Sequence, residues 1–327
     1  MIFKIPTRRA LLAAAALLMA GAAVADEYPA KPIRLVVPFP PGGPTDTYGR
    51  LVGKLMGDAL GQPVIVENRN GATGLIGTNM VKSAAPDGYT LLYTSNSAQV
   101  IGPLLRTPRP FDPVADFTPI AEPLRYSLYL LVSSKVPANT FKEFVALARS
   151  KPGKFSYASV GTGSVGHLAC ELMNGAAGIE ALHVPYKGAG PAQVSVVAGD
   201  TDYLCDSVGN SQPMVLAGKL KGLALTAESR SASIPDIPTM TEEGVPVVAY
   251  VWQGVFAPKG LPDDIRAKLE AAIAKAINTP ELRERIRNDG YEAVAQSHAQ
   301  LTKDITAESA MWEKIIQTKG IKVENGG

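Results

Sequence analysis

The 327-residue sequence predicts an α/β protein of two lobes, each a mostly parallel sheet flanked by helices. Two observations support this fold class. Strand patterns alternate with helix patterns from residue 28 onward, which is typical of parallel sheets. In addition, one local motif occurs twice, once in each half of the chain: an apolar strand followed by a glycine-containing turn, after which a helix begins. The first copy covers residues 33–46 and the second covers residues 155–167.

Apolar runs bounded by turn residues predict the individual strands. In chain order these runs are residues 33–39, 63–67, 89–94, 128–132, 155–160, 181–186, 202–205, 220–226 and 247–256. The first run is almost continuously apolar, as expected of a strand that is covered on both faces. Several prolines between residues 103 and 119 are expected to break regular structure before the fourth run.

Helical spacing and helix-end signals predict the helices between the strands. Thr45 or Asp46 can cap the first helix, whose apolar residues recur as far as residue 60. Asp263 caps a later helix, Pro280 begins the next one in its first turn, and Gly290 closes it. Further helices are expected at residues 141–150, 164–176 and 300–318.

The division of the chain into lobes follows from the order of these elements. We expect the chain to leave the first lobe near Arg125 and to return to it near Trp252. Lobe 1 is then residues 26–125 and 252–327, and lobe 2 is residues 126–251. Two crossovers between lobes form a hinge, which allows the lobes to close on a ligand.

The first 25 residues predict an export signal that is cleaved near Ala25. Basic residues precede the apolar run 10–20, and small residues occupy the expected cleavage site. The apolar run is too short to span a bilayer. The adjacent Arg8 and Arg9 leave two export routes open, an ordinary secretory signal and a twin-arginine signal.

The charge balance offers no footprint for nucleic acid or an anionic membrane. Removing the first 25 residues removes three of the 32 Lys and Arg residues and none of the 30 Asp and Glu residues, so the mature net charge is −1. The remaining chain suits about two domains. Cys170 and Cys205 are its only cysteines. The sequence is compatible both with a disulfide and with two buried thiols.

Both glycine turns direct backbone N–H groups and the positive end of a helix dipole at one point, which favours a small anion. In the first turn Asp46 repels a carboxylate, so we expect it to orient the amides or to hold a bridging water. The alternative for this turn is an ordinary strand–helix connection with Asp46 as the cap. In the second turn, the hydroxyls of Thr162 and Ser164 add further hydrogen-bond donors.

Two enzyme functions compete with ligand binding at the second turn. Residues 161–166 match the dinucleotide pattern GxGxxG, which suggests an exported nicotinamide-dependent oxidoreductase, but Tyr186 occupies the strand end where the acidic partner belongs. A hydrolase using Ser164 and His167 is the other alternative, although a nucleophile elbow needs glycine where Thr162 stands. We therefore expect no catalytic residue, no cofactor and no metal, and we expect His167 to line the cleft.

Polar side chains at two other strand ends complete the predicted cleft. Tyr186 and Asp206 each follow an apolar strand, and the ends of parallel strands meet at one edge of a sheet. The hydroxyl of Tyr186 can donate to a ligand. Asp206 can accept from a ligand amine or hydroxyl, can fix a water, or can cap the helix that follows.

Taken together, these stretches resemble one family, the periplasmic Bug receptors, similar to the substrate-binding component of tripartite tricarboxylate transporters. The resemblance rests on motifs that occur in order along the whole mature chain: Lys31-Pro32-Ile33-Arg34, Val37-Pro38-Phe39-Pro40-Pro41-Gly42-Gly43, Val66-Glu67-Asn68, Pro86-Asp87-Gly88-Tyr89-Thr90, Val184-Pro185-Tyr186-Lys187-Gly188, and Trp252 with Gly254.

The resemblance implies a monomeric, type II-like periplasmic binding protein that delivers a small carboxylate to a membrane permease. A dicarboxylate or an aromatic acid is the expected ligand. The ligand-binding residues that it implies are Phe39, Gly43, Pro44, Thr45, Asp46, Ala72, Ser95, Thr162, Gly163, Ser164, His167, Tyr186 and Asp206. Thr45, Asn70, Thr73 and Thr201 depart from the residues that are common in the family, which leaves the identity of the ligand open.

Overall fold

The computed structural model describes residues 27–71 and 74–322. The expected export signal and Ala72 of the predicted site lie outside the described residues. The described strands are β1 (Ile33–Val37), β2 (Val64–Asn68), β3 (Thr90–Ser95), β4 (Phe117–Ser133), β5 (Phe155–Ser159), β6 (Ala181–Pro185), β7 (Tyr203–Ser207), β8 (Leu220–Leu225), β9 (Tyr250–Pro258) and β10 (Glu292–Gln296).

The described helices flank the strands. They are α1 (Pro44–Leu60), α2 (Leu75–Lys82), α3 (Gly102–Leu104), α4 (Phe141–Arg149), α5 (Val165–Ala177), α6 (Ala189–Ala198), α7 (Val208–Leu216), α8 (Asp263–Ile277), α9 (Pro280–Asn288) and α10 (His298–Lys319). A π-helical segment, Ser97–Ile101, leads directly into α3. Within the described residues, no helix is both long enough and apolar enough to cross a bilayer.

The strands form two sheets that share one long strand. The first sheet has the order β2-β1-β3-β9-β4, with β10 also on β4, and the second has the order β4-β7-β5-β6, with β8 also on β4. Ser127 is the last residue of β4 to pair with β9, and Leu128 is the first to pair with β7. The chain therefore passes between the sheets at this step. The expected lobe boundaries lie close to it, and the division of the chain there remains a prediction.

Strand directions place the sheet ends that carry the predicted site residues opposite each other. β1 and β3 run in the same direction as β4, which leads into the second sheet. β5, β6 and β7 run against β4 and therefore point back toward the first sheet. The carboxyl ends of the parallel strands, where the predicted site residues lie, thus face one another across the junction between the sheets.

The pairing corrects the expectation of mostly parallel sheets. Among the described strands, four pairings are parallel and five are antiparallel. The reason is topological, because a strand that leaves one lobe and a strand that returns to it run in opposite directions. β4 and β9 are these two strands, and they pair with each other and with their neighbours in antiparallel fashion.

β4 is longer than the sequence suggested. It begins at Phe117 rather than near residue 128, although Pro119 and Pro123 lie within it. Proline cannot donate to a neighbouring strand, and the register against β9 shifts at two places around these prolines. Bulges therefore accommodate residues that were expected to end regular structure. The sequence also did not predict β10, which pairs with this same part of β4.

The C-terminal helix α10 is held against the junction by buried polar contacts. Glu308 accepts hydrogen bonds from the indole N–H groups of Trp252 and Trp312, at 2.6 and 2.7 Å. It also accepts one from Asn96 Nδ2 at 2.6 Å. Burial raises the pKa of Glu308, while these three donors act in the opposite direction. The network ties α10 both to β9 and to the segment that follows β3.

Candidate functional site

The turn between β1 and α1 forms the first candidate anion site. Gly43 is the N-cap of α1, and Pro44 occupies the first helical position. The sequence predicted the cap at Thr45 or Asp46, which is two or three residues too late. Proline favours the first helical position, because the backbone N–H that it lacks would have no intrahelical partner there. A Cβ added to Gly42 or Gly43 would meet no atom within 4 Å, so this turn borders open space.

Asp46 is a buried carboxylate that organises the first turn. Its side chain accepts hydrogen bonds from Gly42 N at 2.9 Å and from Asn68 Nδ2 at 2.8 Å, and it pairs with Arg50 at 2.9 Å. Burial alone raises the pKa of Asp46, but the hydrogen bonds from Arg50, Gly42 and Asn68 outweigh this effect and lower the pKa. The group is therefore an ionised carboxylate whose charge Arg50 balances.

Asn68, at the end of β2, joins this network to the strand ends. Its Nδ2 atom also donates to the carbonyl oxygen of Phe39 at 3.1 Å, and its Oδ1 atom accepts from Arg50 at 2.7 Å. The sequence showed Asn68 only as part of a motif and did not reveal this role. Ser95, at the end of β3, lies buried beside β9, where it pairs with Gln253.

The turn between β5 and α5 uses most of its backbone donors internally. Gly161 N donates to Ser159 Oγ, Gly163 N to His167 Nδ1, and Ser164 N to the Gly161 oxygen. The expectation that this turn presents free amides is therefore wrong for these three residues. The N–H of Thr162 is not among the donors used in this way, and its side chain remains partly exposed.

Gly163 lies at a contact between the two halves of the molecule. Its φ of +81° requires glycine, and an added Cβ would overlap Leu105, which immediately follows α3. The second turn therefore packs against the segment that leads away from β3. In this conformation the space at Gly163 is filled by protein, and only its neighbours remain accessible to a ligand.

Ser164 and His167 are arranged as a helix cap. Ser164 is the N-cap of α5, and its Oγ accepts from His167 N at 3.2 Å. His167 is 3% exposed and stacks on His183 with ring centroids 3.8 Å apart. Burial, and then the neighbouring His183, lower the pKa of His167 to about 3. Its ring is therefore neutral, and the Gly163 N–H occupies its Nδ1 atom.

Tyr186 and Asp206 make their hydrogen bonds mainly to side chains of α6, which packs on the second sheet. The Tyr186 hydroxyl donates to Ser195 Oγ at 2.6 Å, so its proton is not free for a ligand as the sequence suggested. Asp206 accepts from Ser207 N at 2.7 Å and from Gln193 Nε2 at 2.8 Å. Burial raises the pKa of Asp206. Ser207, rather than Asp206, caps α7.

Two tyrosines lie beside Asp206. Tyr126 of β4 and Tyr291, next to β10, stack with centroids 4.4 Å apart and rings inclined by 16°. Both pKa values are raised, first by burial and also by neighbours that include Asp206. Tyr291 depends on β10 for its position, and no local sequence pattern revealed that strand. The two rings form an aromatic wall where the sheets meet.

The surroundings show no built site for a metal. Among the described residues, no group of three or more His, Cys, Asp or Glu side chains is placed to hold a metal ion. Three depressions lie on the surface of the described residues. One of about 290 Å³ lies between β4 and α4, one of about 490 Å³ lies along α9, and one of about 480 Å³ lies between α1 and β2. None of the three is lined by a residue of the predicted site.

Comparison with known proteins identifies relatives that cover most of the chain. The family model for the tripartite tricarboxylate transporter family receptor matches residues 49–321. BugT of Bordetella pertussis is 34% identical over 302 residues, which cover 92% of this chain and 93% of BugT.

Solved structures extend this comparison. MatC (Rpa3494) from Rhodopseudomonas palustris with bound malate is 34% identical, with a TM-score of 0.77 over 88% of this chain and 100% of that one. Rpa4515 of R. palustris with adipate is 31% identical, with a TM-score of 0.80 over 90% and 99% of the two chains. A solved periplasmic transporter and the periplasmic binding protein BugD share the fold, which confirms the predicted two-lobed α/β class.

Proposed function

Because the chain belongs to the tripartite tricarboxylate transporter receptor family, we propose that it is a periplasmic receptor that captures a small dicarboxylate between its lobes. It then delivers this ligand to the membrane permease subunits of the transporter. The proposal that the protein is exported rests on its signal-like first 25 residues. The proposal that it delivers a ligand to a permease rests on its family membership. The relatives with bound malate and adipate favour a dicarboxylate over an aromatic acid.

The β1–α1 turn is the proposed binding site for one carboxylate of the ligand. It borders open space at Gly42 and Gly43, and it stands at the N-terminus of a 17-residue helix. The first turn of a helix leaves N–H groups without intrahelical partners, and Thr45 is at such a position. Arg50 and Asn68 already compensate the charge of Asp46. One ligand carboxylate can therefore dock on this turn without facing an unbalanced negative charge.

The energetics suit a transport receptor. Hydrogen bonds from fixed donors to a charged group contribute about 1.5–3 kcal/mol each. Three or four of them, after the cost of ordering the ligand and closing the lobes, are compatible with a micromolar Kd, which corresponds to about 8 kcal/mol. The second carboxylate is expected near Thr162 and the Tyr126–Tyr291 wall, where the opposite sheet presents its strand ends.

Neither enzyme alternative gains support from the second turn. A pyrophosphate would need the amides of residues 161–164, and Gly161, Gly163 and Ser164 already donate theirs within the protein. For a hydrolase, Ser164 Oγ would need the His167 ring as its base. Instead Ser164 Oγ accepts from the His167 backbone, and the Nδ1 atom of that ring accepts from Gly163.

A thermal-shift screen over mono-, di- and tricarboxylates tests this function, with calorimetry for each ligand that gives a shift. A dicarboxylate at about 100 times its Kd stabilises the native state by about 2.7 kcal/mol, so we expect Tm to rise by roughly 5–10 °C. A rise with nicotinamide nucleotides, and none with any carboxylate, would contradict the proposal.

A glycine-to-alanine substitution tests whether the ligand binds at the β1–α1 turn. Gly43→Ala adds a Cβ to open space at a φ of −78°, so the free protein loses only about 0.5–1 kcal/mol, the usual cost of alanine at an N-cap, whereas the dicarboxylate loses at least tenfold in affinity. Gly175→Ala is the matched control. Gly175 lies near the C-terminal end of α5, away from both glycine turns, and its added Cβ would meet only Lys319 Cε at 4.0 Å. Equal affinity for the two variants would remove the β1–α1 turn from the site.

A further inference from the structure

The two cysteines of the chain meet in the interior of the second sheet. Cys170 lies in α5 and Cys205 in β7, and their exposed fractions are 0% and 3%. Their Sγ atoms are 2.9 Å apart. Non-bonded carbon atoms, which are smaller than sulfur, have their optimal contact at about 3.5–4.0 Å. Both thiols are free in this structure, and their sulfur atoms lie closer together than an ordinary non-bonded contact.

We propose that Cys170 and Cys205 form an intramolecular disulfide once the protein has been exported. A disulfide is about 2.04 Å long, so only about 0.9 Å of further approach is needed, within the reach of small χ1 adjustments. The inference depends on the proposed export, because only an oxidising compartment keeps such a bond. It does not depend on which ligand is bound.

The reaction is thiol–disulfide exchange with a disulfide-bearing oxidant. The thiolate of one cysteine attacks the oxidant's disulfide, which forms a mixed disulfide and releases one thiol of the oxidant. The second thiolate attacks the protein sulfur of that mixed disulfide, forms the Cys170–Cys205 bond and releases the second thiol. Two electrons and two protons pass to the oxidant, which leaves as a dithiol. Because both side chains are buried in the folded state, this exchange takes place during folding, so the proposal requires export of the unfolded chain by the ordinary secretory route.

The bond would join two elements that carry predicted ligand residues. α5 begins beside Ser164, and β7 continues from Cys205 into Asp206. The elements already touch, since a Cβ on Gly166 would lie 2.6 Å from the Cys205 oxygen. A disulfide one helical turn beyond this contact would hold the start of α5 at a constant distance from the end of β7. It would also close a loop across a sequence separation of 35 residues, which restricts the unfolded chain.

Alkylation and mass measurement on the whole protein test the inference. The full chain with its leader is produced in a Gram-negative host, and the periplasmic fraction is denatured in acid and then treated with iodoacetamide at neutral pH. We expect no label without a reductant and two labels after reduction. Two labels without a reductant, or a disulfide-linked dimer, would overturn the inference.

A stability measurement gives the second readout. Unfolding the purified protein in urea and refolding it with dithiothreitol present should lower its Tm by roughly 5–10 °C relative to refolding without a reductant, as expected from opening a loop of this length. The Tm of Cys170→Ala and Cys205→Ala should not respond to dithiothreitol. A wild-type Tm that is equally indifferent would count against the bond. If a variant does not fold, the mass measurement on the wild-type protein still decides.

Discussion

The backbone N–H of Gly163 donates a hydrogen bond to Nδ1 of His167 at 3.1 Å. The bond requires a neutral ring with its proton on Nε2, because a protonated imidazole has no acceptor atom. The second glycine turn is therefore supported by a histidine side chain from the first turn of its own helix. The turn's geometry consequently depends on the protonation state of that ring.

Acid should destabilise the protein through this pair of histidines. Burial lowers the pKa of His167 to about 3 and that of His183 to about 4, from 6.5 in the unfolded chain. Below pH 6.5 the unfolded state binds more protons, so the free energy of unfolding falls as pH falls from 6.5 toward 4. His167 alone should account for about 2–3 kcal/mol between pH 6.5 and 4.5.

Urea unfolding at pH 7.5, 6.5, 5.5 and 4.5 measures this slope. His167→Asn keeps an acceptor oxygen near the Gly163 N–H but does not titrate, so its unfolding free energy should depend less on pH than that of the wild type. Identical slopes for the two proteins would show that His167 is not the titrating group.

Asp46 should matter for stability far more than another aspartate of the same helix. Asp46→Asn removes charge-assisted hydrogen bonds with Arg50 and Gly42, and we expect a loss of about 1–3 kcal/mol at pH 7. The native pKa of Asp46 is lowered, so this contribution is present above pH 3.8 and disappears as pH falls below it.

The comparison is Asp58→Asn, also in α1. Asp58 pairs with Lys54 at 3.1 Å, and both side chains are 65% exposed, so its replacement should change stability by less than about 0.5 kcal/mol. Denaturant titrations of both variants at pH 7 and pH 3 give the result. Equal losses at pH 7 would mean that the Asp46 network does not stabilise the turn.

The contact of Gly163 with Leu105 should show energetic coupling. Gly163→Ala combines an unfavourable φ with overlap against Leu105, and we expect a cost of about 1–3 kcal/mol. In the Leu105→Ala background the overlap is absent, so Gly163→Ala should cost less there. The double-mutant cycle, measured by urea unfolding, isolates the difference.

Gly260→Ala controls for backbone strain alone. Its φ is +89°, close to that of Gly163, but an added Cβ would meet no atom within 4 Å. The cost of Gly260→Ala should therefore be smaller and independent of Leu105. A coupling energy near zero between Gly163 and Leu105 would show that the two segments do not pack together in solution.

Much of the fold could be predicted from local patterns. The apolar run 33–39 and the glycine turn after it correctly predicted β1 and α1, because a buried strand and a helix start have signatures within a few residues. The family resemblance rested on short motifs of the same kind. The strand β10 and the start of β4 were missed, because their pairing depends on partners far away in the chain and prolines masked the pattern.

The sequence by itself determined the α/β class, the two glycine turns and their positions at strand ends, since these depend on side-chain size, backbone freedom and periodicity over a few residues. Only the tertiary structure decided which donors remain available. It showed that the β1–α1 turn borders open space, whereas three amides of the second turn donate hydrogen bonds to Ser159, Gly161 and His167. Hydrogen bonding saturates a donor only when a partner is brought within about 3 Å, and the packing of the whole chain determines that distance.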